Sequence, residues 1–211
     1  MSPYGEGSYD CKRCGIVNPQ FRSEEKIANR EWEPTCPICG DALIPISTKE
    51  TKIQYANSIY AITKKCQEEM VLTTGQAYDI PAVGLRYFNT YGPRQSLSNP
   101  YTGVAAIFMS RLKNDQQPLI FEDGEQLRDF VSVYDVVQAN MLAMEKDEAN
   151  YDVFNVGSGR PITIKQVAET VAKLCGKNIK PLITHQYRKG DIRHCFADIS
   201  KIKEKLGYEP R

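Results

Sequence analysis

The chain has 211 residues, a formal net charge of +1, 41% hydrophobic residues and 25% charged residues. These values exclude wholesale disorder, and the near-zero charge excludes a protein that coats nucleic acid, because phosphate binding needs a surplus of Lys and Arg. No run approaches the ~20 apolar residues of a membrane span, so no membrane partner is expected. The first residues, Met1 to Glu6, show neither a basic n-region nor an apolar h-region, and no secretory signal is read there.

Cysteine spacing is the first feature along the chain. Cys11-Lys12-Arg13-Cys14-Gly15 and Cys36-Pro37-Ile38-Cys39-Gly40 are two Cys-x-x-Cys-Gly turns with 21 residues between the inner cysteines. Each turn offers two thiolates, and zinc takes four soft donors in a tetrahedron at ~2.3 Å. The glycine after each pair permits a positive φ. The spacing therefore predicts a metal knuckle holding zinc, or iron in its place. With cysteine at all four positions the site is closed, which makes it structural. Cys66, Cys175 and Cys195 are scattered, and the odd total of seven speaks against a disulfide framework and for reduced thiols in the cytoplasm. The charges between the two pairs, from Arg22 to Glu33, alternate in sign and are expected to form a solvated face, with Trp32 in the small core of the insert.

Residues 55–78 read as a long helix. Ser58 lies near its start, Ile59, Ile62, Met70 and Val71 are its apolar residues, and Gly75 is a weak point near its end. Tyr60 and Lys64 stand four apart and share one face. A free Tyr, with pKa ~10, is a poor base, but a nearby ammonium favours the phenolate. Such a pair can exchange a proton with a sugar or alcohol hydroxyl. By itself Tyr-x-x-x-Lys is equally a chance pair of exposed residues. The run that follows strengthens it. Residues 82–88 read as a buried parallel strand that ends in Asn89 and a Gly92-Pro93 turn, where α/β sheets place their ligand loops.

The remaining chain alternates helices and strands. Residues 101–116 read as a helix with Val104, Ile107, Phe108 and Leu112 on one face, and Pro118 to Phe121 as a short strand. Helices are expected over 135–147, capped by Tyr134 or Asp135, over 163–175, opening at Thr163 and closing at Gly176, and over 200–206. A strand is expected over 151–156. His185 and His194 read as surface or core-edge residues.

Six ordered segments carry a resemblance: Tyr-Gly-Glu-Gly (4–7), Ser-x-Tyr-x-x-x-Lys (58–64), Leu-Arg-Tyr-Phe-Asn-x-Tyr-Gly-Pro-Arg (85–94), Arg-Asp-Phe-Val-x-Val-x-Asp-Val (128–136), Phe-Asn-Val-Gly-Ser-Gly (154–159) and Arg-x-Gly-Asp (188–191). The chain resembles the extended short-chain dehydrogenase/reductase family of NAD-dependent nucleotide-sugar epimerases and dehydratases. The Cys-rich insert, with the run Ser98-Asn99-Pro100-Tyr101-Thr102-Gly103-Val104, looks most like the dTDP-L-rhamnose 4-epimerase branch.

The resemblance implies an α/β fold: the C-terminal part of a Rossmann-type doubly wound parallel sheet, a smaller α+β substrate-binding lobe and a four-cysteine zinc-ribbon insert. Residues 1–10 and 46–95 would belong to the NAD-binding part, 11–45 to the insert and 96–211 mainly to the lobe. It also implies roles. Tyr60 would be the acid/base, and Lys64 would hold the nicotinamide ribose and depress the Tyr60 pKa. Tyr87 and Phe88 would lie against the nicotinamide. Asn89, Arg128, Arg188 and Asp191 would bind the nucleotide-sugar, Arg128 through phosphate unless it merely pairs with Asp129. The implied reaction is 4-epimerisation of a dTDP- or UDP-hexose through a 4-keto sugar, with NAD retained.

A 4,6-dehydratase of the same family is the nearest alternative. The acid pair such enzymes carry falls here on Met1 and Ser2, which favours the epimerase. A non-catalytic zinc-stabilised binding protein is the other alternative. The sequence has no Gly-x-x-Gly-x-x-Gly, the turn that cradles a dinucleotide pyrophosphate. The resemblance thus implies a fragment short of roughly 120 N-terminal residues, about what several βα units require. Such a chain is expected to bind NAD poorly, to be inactive alone and to form a homodimer only when full length.

Overall fold

The computed structural model describes residues 3–96 and 103–211. Met1 and Ser2, and the run 98–102 used above, lie outside the described residues.

The Cys-rich part opens the fold. β1 (Ser8–Cys11) is the centre of a three-stranded antiparallel sheet, flanked by β2 (Gly15–Val17) and β3 (Ile44–Ile46). This sheet spans Ser8 to Ile46 and encloses all four cysteines of the two Cys-x-x-Cys turns. A short helix α1 (Glu24–Ala28) is N-capped by Ser23, whose side chain accepts from the Lys26 N–H. Tyr9, Cys11, Val17 and Cys36 form the core of the unit, with Cys14, Cys39 and Leu43 packed against them. Trp32 is buried but stands outside that cluster.

α2 (Ile59–Ala77) begins after Ser58, whose hydroxyl accepts from the Ala61 N–H. Its expected apolar face is not a buried one. Ile59 is 78% exposed and Met70 65%, and only Ala61 and Gly75 are buried. Gly75 is a packing position, not a weak point: a Cβ there would stand 2.6 Å from the Ala82 Cβ. Its hydrogen lets the helix end lie against the entry to β4 (Val83–Tyr87).

β4 pairs in parallel with β8 (Asp152–Val156), in the register Leu85 opposite Phe154. The expectation of a buried parallel strand holds for direction and not for burial. No residue of β4 is fully buried, since among the described residues β8 covers one edge and no strand pairs with the other. β5 (Asn89–Tyr91) pairs in parallel with β7 (Leu127–Ser132), which pairs antiparallel with β9 (Pro161–Thr163). β6 (Leu119–Ile120) pairs in parallel with β10 (Leu182–Ile183).

The helices cover these strands. α3 (Val104–Lys113) buries Ala106, Phe108 and Leu112, while Ile107, expected on that face, is 40% exposed. α4 (Val133–Glu145) is capped by the Ser132 hydroxyl, which accepts from the Tyr134 N–H. Neither Tyr134 nor Asp135 is the cap, because the helix starts two residues earlier than expected. α5 (Ile164–Leu174) has a capping box between Thr163 and Gln166, and α6 (Ser200–Leu206) closes on Gly207 in the left-handed region. The main core joins Val131, Val136, Ala139, Phe154, Val156, Ile199, Ile202, Leu206 and Tyr208, between β4–β8 and helices α4 and α6. A second core packs Phe108, Ile120, Val167 and Ala168 between α3, α5 and β6.

Candidate active site and metal centre

Two recognised segments meet at buried polar groups. Asp129 is fully buried, and its carboxylate accepts from the Ser158 N–H and hydroxyl, the Gly159 N–H and the Ala197 N–H. Asn155, also fully buried, accepts from the Tyr4 hydroxyl at 2.7 Å and donates to the Thr48 and Asp198 carbonyls. These contacts fix the loop after β8 and the N-terminal segment against the parallel strands. The Tyr4 hydroxyl also receives Arg86 at 2.6 Å, and Arg86 pairs with Glu68 of α2 at 2.6 Å. Helix α2 is thereby held to β4 at a set height.

On α2, Tyr60 is 54% exposed, and its hydroxyl makes no hydrogen bond among the described residues. The Lys64 Nζ lies 5.8 Å from the centre of its ring and donates to Gln67 at 3.0 Å. The helix thus presents a phenol and an ammonium together on an open face, which is what proton exchange with a hydroxyl requires. Tyr87 is half exposed at the end of β4 and donates to Asn140 of α4 at 2.9 Å. Phe88 is partly buried against Tyr4, with ring centres 6.3 Å apart. Asn89 is exposed at the start of β5.

Arg128 does not pair with Asp129. It donates to the carbonyls of Leu127, Ile192 and Arg193, and stands 4.0 Å from the Asp191 carboxylate. Asp191 caps its own turn through the Ile192 N–H. Arg188 is exposed and lies on the Phe121 ring at 4.7 Å. The Asn57 side chain donates to the Gly190 carbonyl at 2.7 Å. That bond brings the start of α2 to the 188–191 segment. Arg128, Asp191 and the Tyr60 helix are therefore neighbours in the fold, while Arg188 is turned onto Phe121.

The four cysteines form one cluster. Their sulfurs lie within 4.8 Å of one another, and Cys11 and Cys39 are 3.5 Å apart. A tetrahedron with ~2.3 Å metal–sulfur bonds has edges of ~3.8 Å, so this donor set fits a zinc ion. Burial raises the Cys36 thiol, yet the N–H groups of Cys39 and Ile38 outweigh it and bring it down to about 7. A thiolate is the form that binds metal.

Sequence reasoning missed one feature. The charges between the cysteine pairs do not all form a solvated face. Arg22 is buried and forms a bidentate pair with Glu122 at 2.7 and 3.0 Å. Arg193, 1% exposed, pairs with Glu122, Glu33 and Asp123. His194 is buried: its Nδ1 accepts from the Leu127 N–H, which leaves Nε2 to face Glu33 at 2.9 Å. Alternating charge in sequence gave no sign of this, because the charged partners lie 70 to 161 residues apart.

A model of the NAD dependent epimerase/dehydratase family matches residues 35–157. The chain belongs to that family. This family member is 32% identical over 209 residues to dTDP-L-rhamnose 4-epimerase of Burkholderia thailandensis, an alignment covering 99% of this chain and 56% of the relative. Its fold superposes on UDP-glucose 4-epimerase of Thermotoga maritima, solved with UDP-glucose, with a TM-score of 0.74 and 40% identity over 80% of this chain and 53% of that one. UDP-glucuronic acid 4-epimerase of Bacillus cereus, solved with UDP-glucuronic acid and NAD, gives a TM-score of 0.70 and 28% identity over 79% and 52%. The chain thus spans about half the length of the relatives it matches. The α/β Rossmann-like fold expected from the sequence is borne out.

Proposed function

We propose that this chain carries the acid/base helix and the nucleotide-binding side of an NAD-dependent nucleotide-sugar 4-epimerase acting on a dTDP- or UDP-hexose, dTDP-L-rhamnose among them. The observation that carries the proposal is the Asn57–Gly190 bond, which sets the Tyr60/Lys64 helix beside the segment holding Arg188 and Asp191. In this reading Tyr60 removes and returns the proton of the sugar 4-hydroxyl. Lys64 stabilises the phenolate by its charge and holds the nicotinamide ribose. Tyr87 and Phe88 line the nicotinamide side. Asn89 and Arg128 face the diphosphate, Arg188 a phosphate and Asp191 a ribose hydroxyl.

When bound, NAD would take hydride from the sugar C4 and give it back on the other face. Tyr60 and Lys64 suit the nicotinamide-ribose end, since both are exposed on one helix face and Tyr60 has no competing hydrogen bond among the described residues. The sequence offers no glycine-rich turn for the pyrophosphate, so weak NAD binding by these 211 residues is part of the reading. Arg128 spends its donors on three carbonyls, so its part in holding phosphate is shared with the loop it orders. The four cysteines would hold zinc as a closed structural site. Residues 1–10 and 46–95 form the NAD-side part, 11–45 the zinc-ribbon-like insert and 96–211 mainly the substrate lobe. A cytoplasmic homodimer completes the reading.

The test is direct. Expressed from its complete reading frame, the protein is expected to invert C4 of a dTDP- or UDP-hexose, followed by NMR of the sugar. Tyr60→Phe should lower kcat by at least ~100-fold. Turnover that survives this change would overturn the assignment of Tyr60.

A further inference from the structure

Residues 188–194 lie outside every helix and strand, and yet Ile192, Arg193 and His194 are buried. Buried backbone needs partners, and here side chains from other parts of the fold supply most of them. Glu6 accepts from the N–H groups of Arg193 and His194 at 2.8 and 2.6 Å. Arg128 donates to the carbonyls of Ile192 and Arg193, and Asn57 to that of Gly190. Arg22, from the Cys-rich insert, donates to the Asp191 carbonyl at 3.0 Å while paired with Glu122. Glu33, also from the insert, holds both the Arg193 guanidinium at 2.6 Å and the His194 ring at 2.9 Å.

We propose that Arg22 and Glu33 of the Cys-rich insert are positioning residues for the 188–191 segment, and so set the affinity of this chain for a nucleoside diphosphate. The inference rests on the reading of Arg188 and Asp191 as nucleotide-binding residues. The physical reason is that the segment belongs to no helix or strand and its own backbone bonds amount to one turn, from the Asp191 N–H to the Arg188 carbonyl. A loop held by its own ladder keeps its shape alone, whereas most of the bonds that hold this one come from distant side chains. The insert reaches it at four points: the Asp191 carbonyl, the Arg193 side chain, the His194 side chain and, through an exposed Glu24–Lys189 ion pair at 2.7 Å, the Lys189 side chain. The bidentate Arg22–Glu122 pair locks the insert onto the lobe with the geometry such a fork prefers.

Glu33→Gln and Arg22→Lys test the proposal. Glu33 is half exposed, so the first variant keeps the fold, and the second keeps the charge but loses the fork. Two measurements are made on each: amide hydrogen exchange of residues 186–195 against that of α5, and the dissociation constants of dTDP and UDP. The expected result is about tenfold faster exchange confined to 186–195 and about tenfold weaker nucleotide binding, with exchange in α5 unchanged. Glu33→Asp, which keeps the carboxylate, should restore most of both. Exchange in 186–195 equal to wild type overturns the positioning role. Faster exchange with unchanged nucleotide affinity overturns the link to binding. A wild-type chain that binds neither nucleotide refutes the nucleotide reading of Arg188 and Asp191 and that link with it, and the exchange data still decide the positioning role.

Discussion

Asn57 donates to the Gly190 carbonyl across 2.7 Å, and so joins a residue three before Tyr60 to a residue one before Asp191. Two segments 133 residues apart in sequence share one position in space. The bond fixes the distance between the proton-exchanging end of the proposed site and its nucleotide-binding end.

Asn57→Ala should therefore act on binding more than on folding. The lost hydrogen bond is worth about 1 kcal/mol. Nucleoside diphosphate affinity is expected to fall about fivefold by calorimetry, with α2 still folded by circular dichroism. An unchanged affinity would show that the two ends are set independently.

Tyr60→Phe should leave stability as it is. The hydroxyl has no hydrogen bond among the described residues, and the ring is half exposed, so the stability measured by urea unfolding is expected to change by less than about 0.5 kcal/mol. A larger loss would mean that the hydroxyl has a structural partner.

Metal analysis should find about one zinc per chain. Removal by a chelator, or Cys36→Ser, should lower the melting midpoint by roughly 5 °C or more, because in the proposed reading an ion would organise a unit whose buried cluster is Tyr9, Cys11, Val17 and Cys36. Trp32, the only tryptophan, gives a fluorescence signal for that event through its burial and its carbonyl bond to Arg22. A metal-free chain with unchanged melting would refute the structural role of the cluster.

Asp129→Asn should be among the costliest single substitutions. The carboxylate is fully buried and accepts four hydrogen bonds, and an amide nitrogen in place of one oxygen would face N–H donors. A loss of about 2 to 4 kcal/mol in denaturant unfolding is expected.

Acid should loosen the insert. Glu33 and Asp123 are partly buried, which opposes ionisation, but His194 and Arg193 beside Glu33, and Arg193 beside Asp123, hold both carboxyls below the usual carboxylate range. A depressed folded-state pKa gives stability that is fully present above the unfolded value of about 4 and is lost as pH falls through the folded values. Trp32 emission should report this loss in acid, and Glu33→Gln should flatten the pH dependence. A wild-type profile unchanged by that substitution would remove Glu33 from the linkage.

Much of the architecture was legible because it follows local rules. The helix opening at Thr163, the strand 152–156 and the last helix depend on residues within a few positions of one another. The Cys-x-x-Cys spacing likewise foretold a cluster that the fold closes. Burial was harder to read. β4 has the composition of a buried strand, but burial depends on what covers it, and the same holds for Ile59 and Met70 on α2.

The sequence by itself determined the family, the Tyr60/Lys64 pair on one helix face and the two paired Cys-x-x-Cys turns, because each is written in spacing or in motif order. Only the tertiary structure decided which charges are buried. Arg22, Glu122 and Arg193 lie far apart along the chain, and no periodicity links them. A buried ion pair depends on desolvation and on partners brought by the fold, both of which come into being only when distant segments pack.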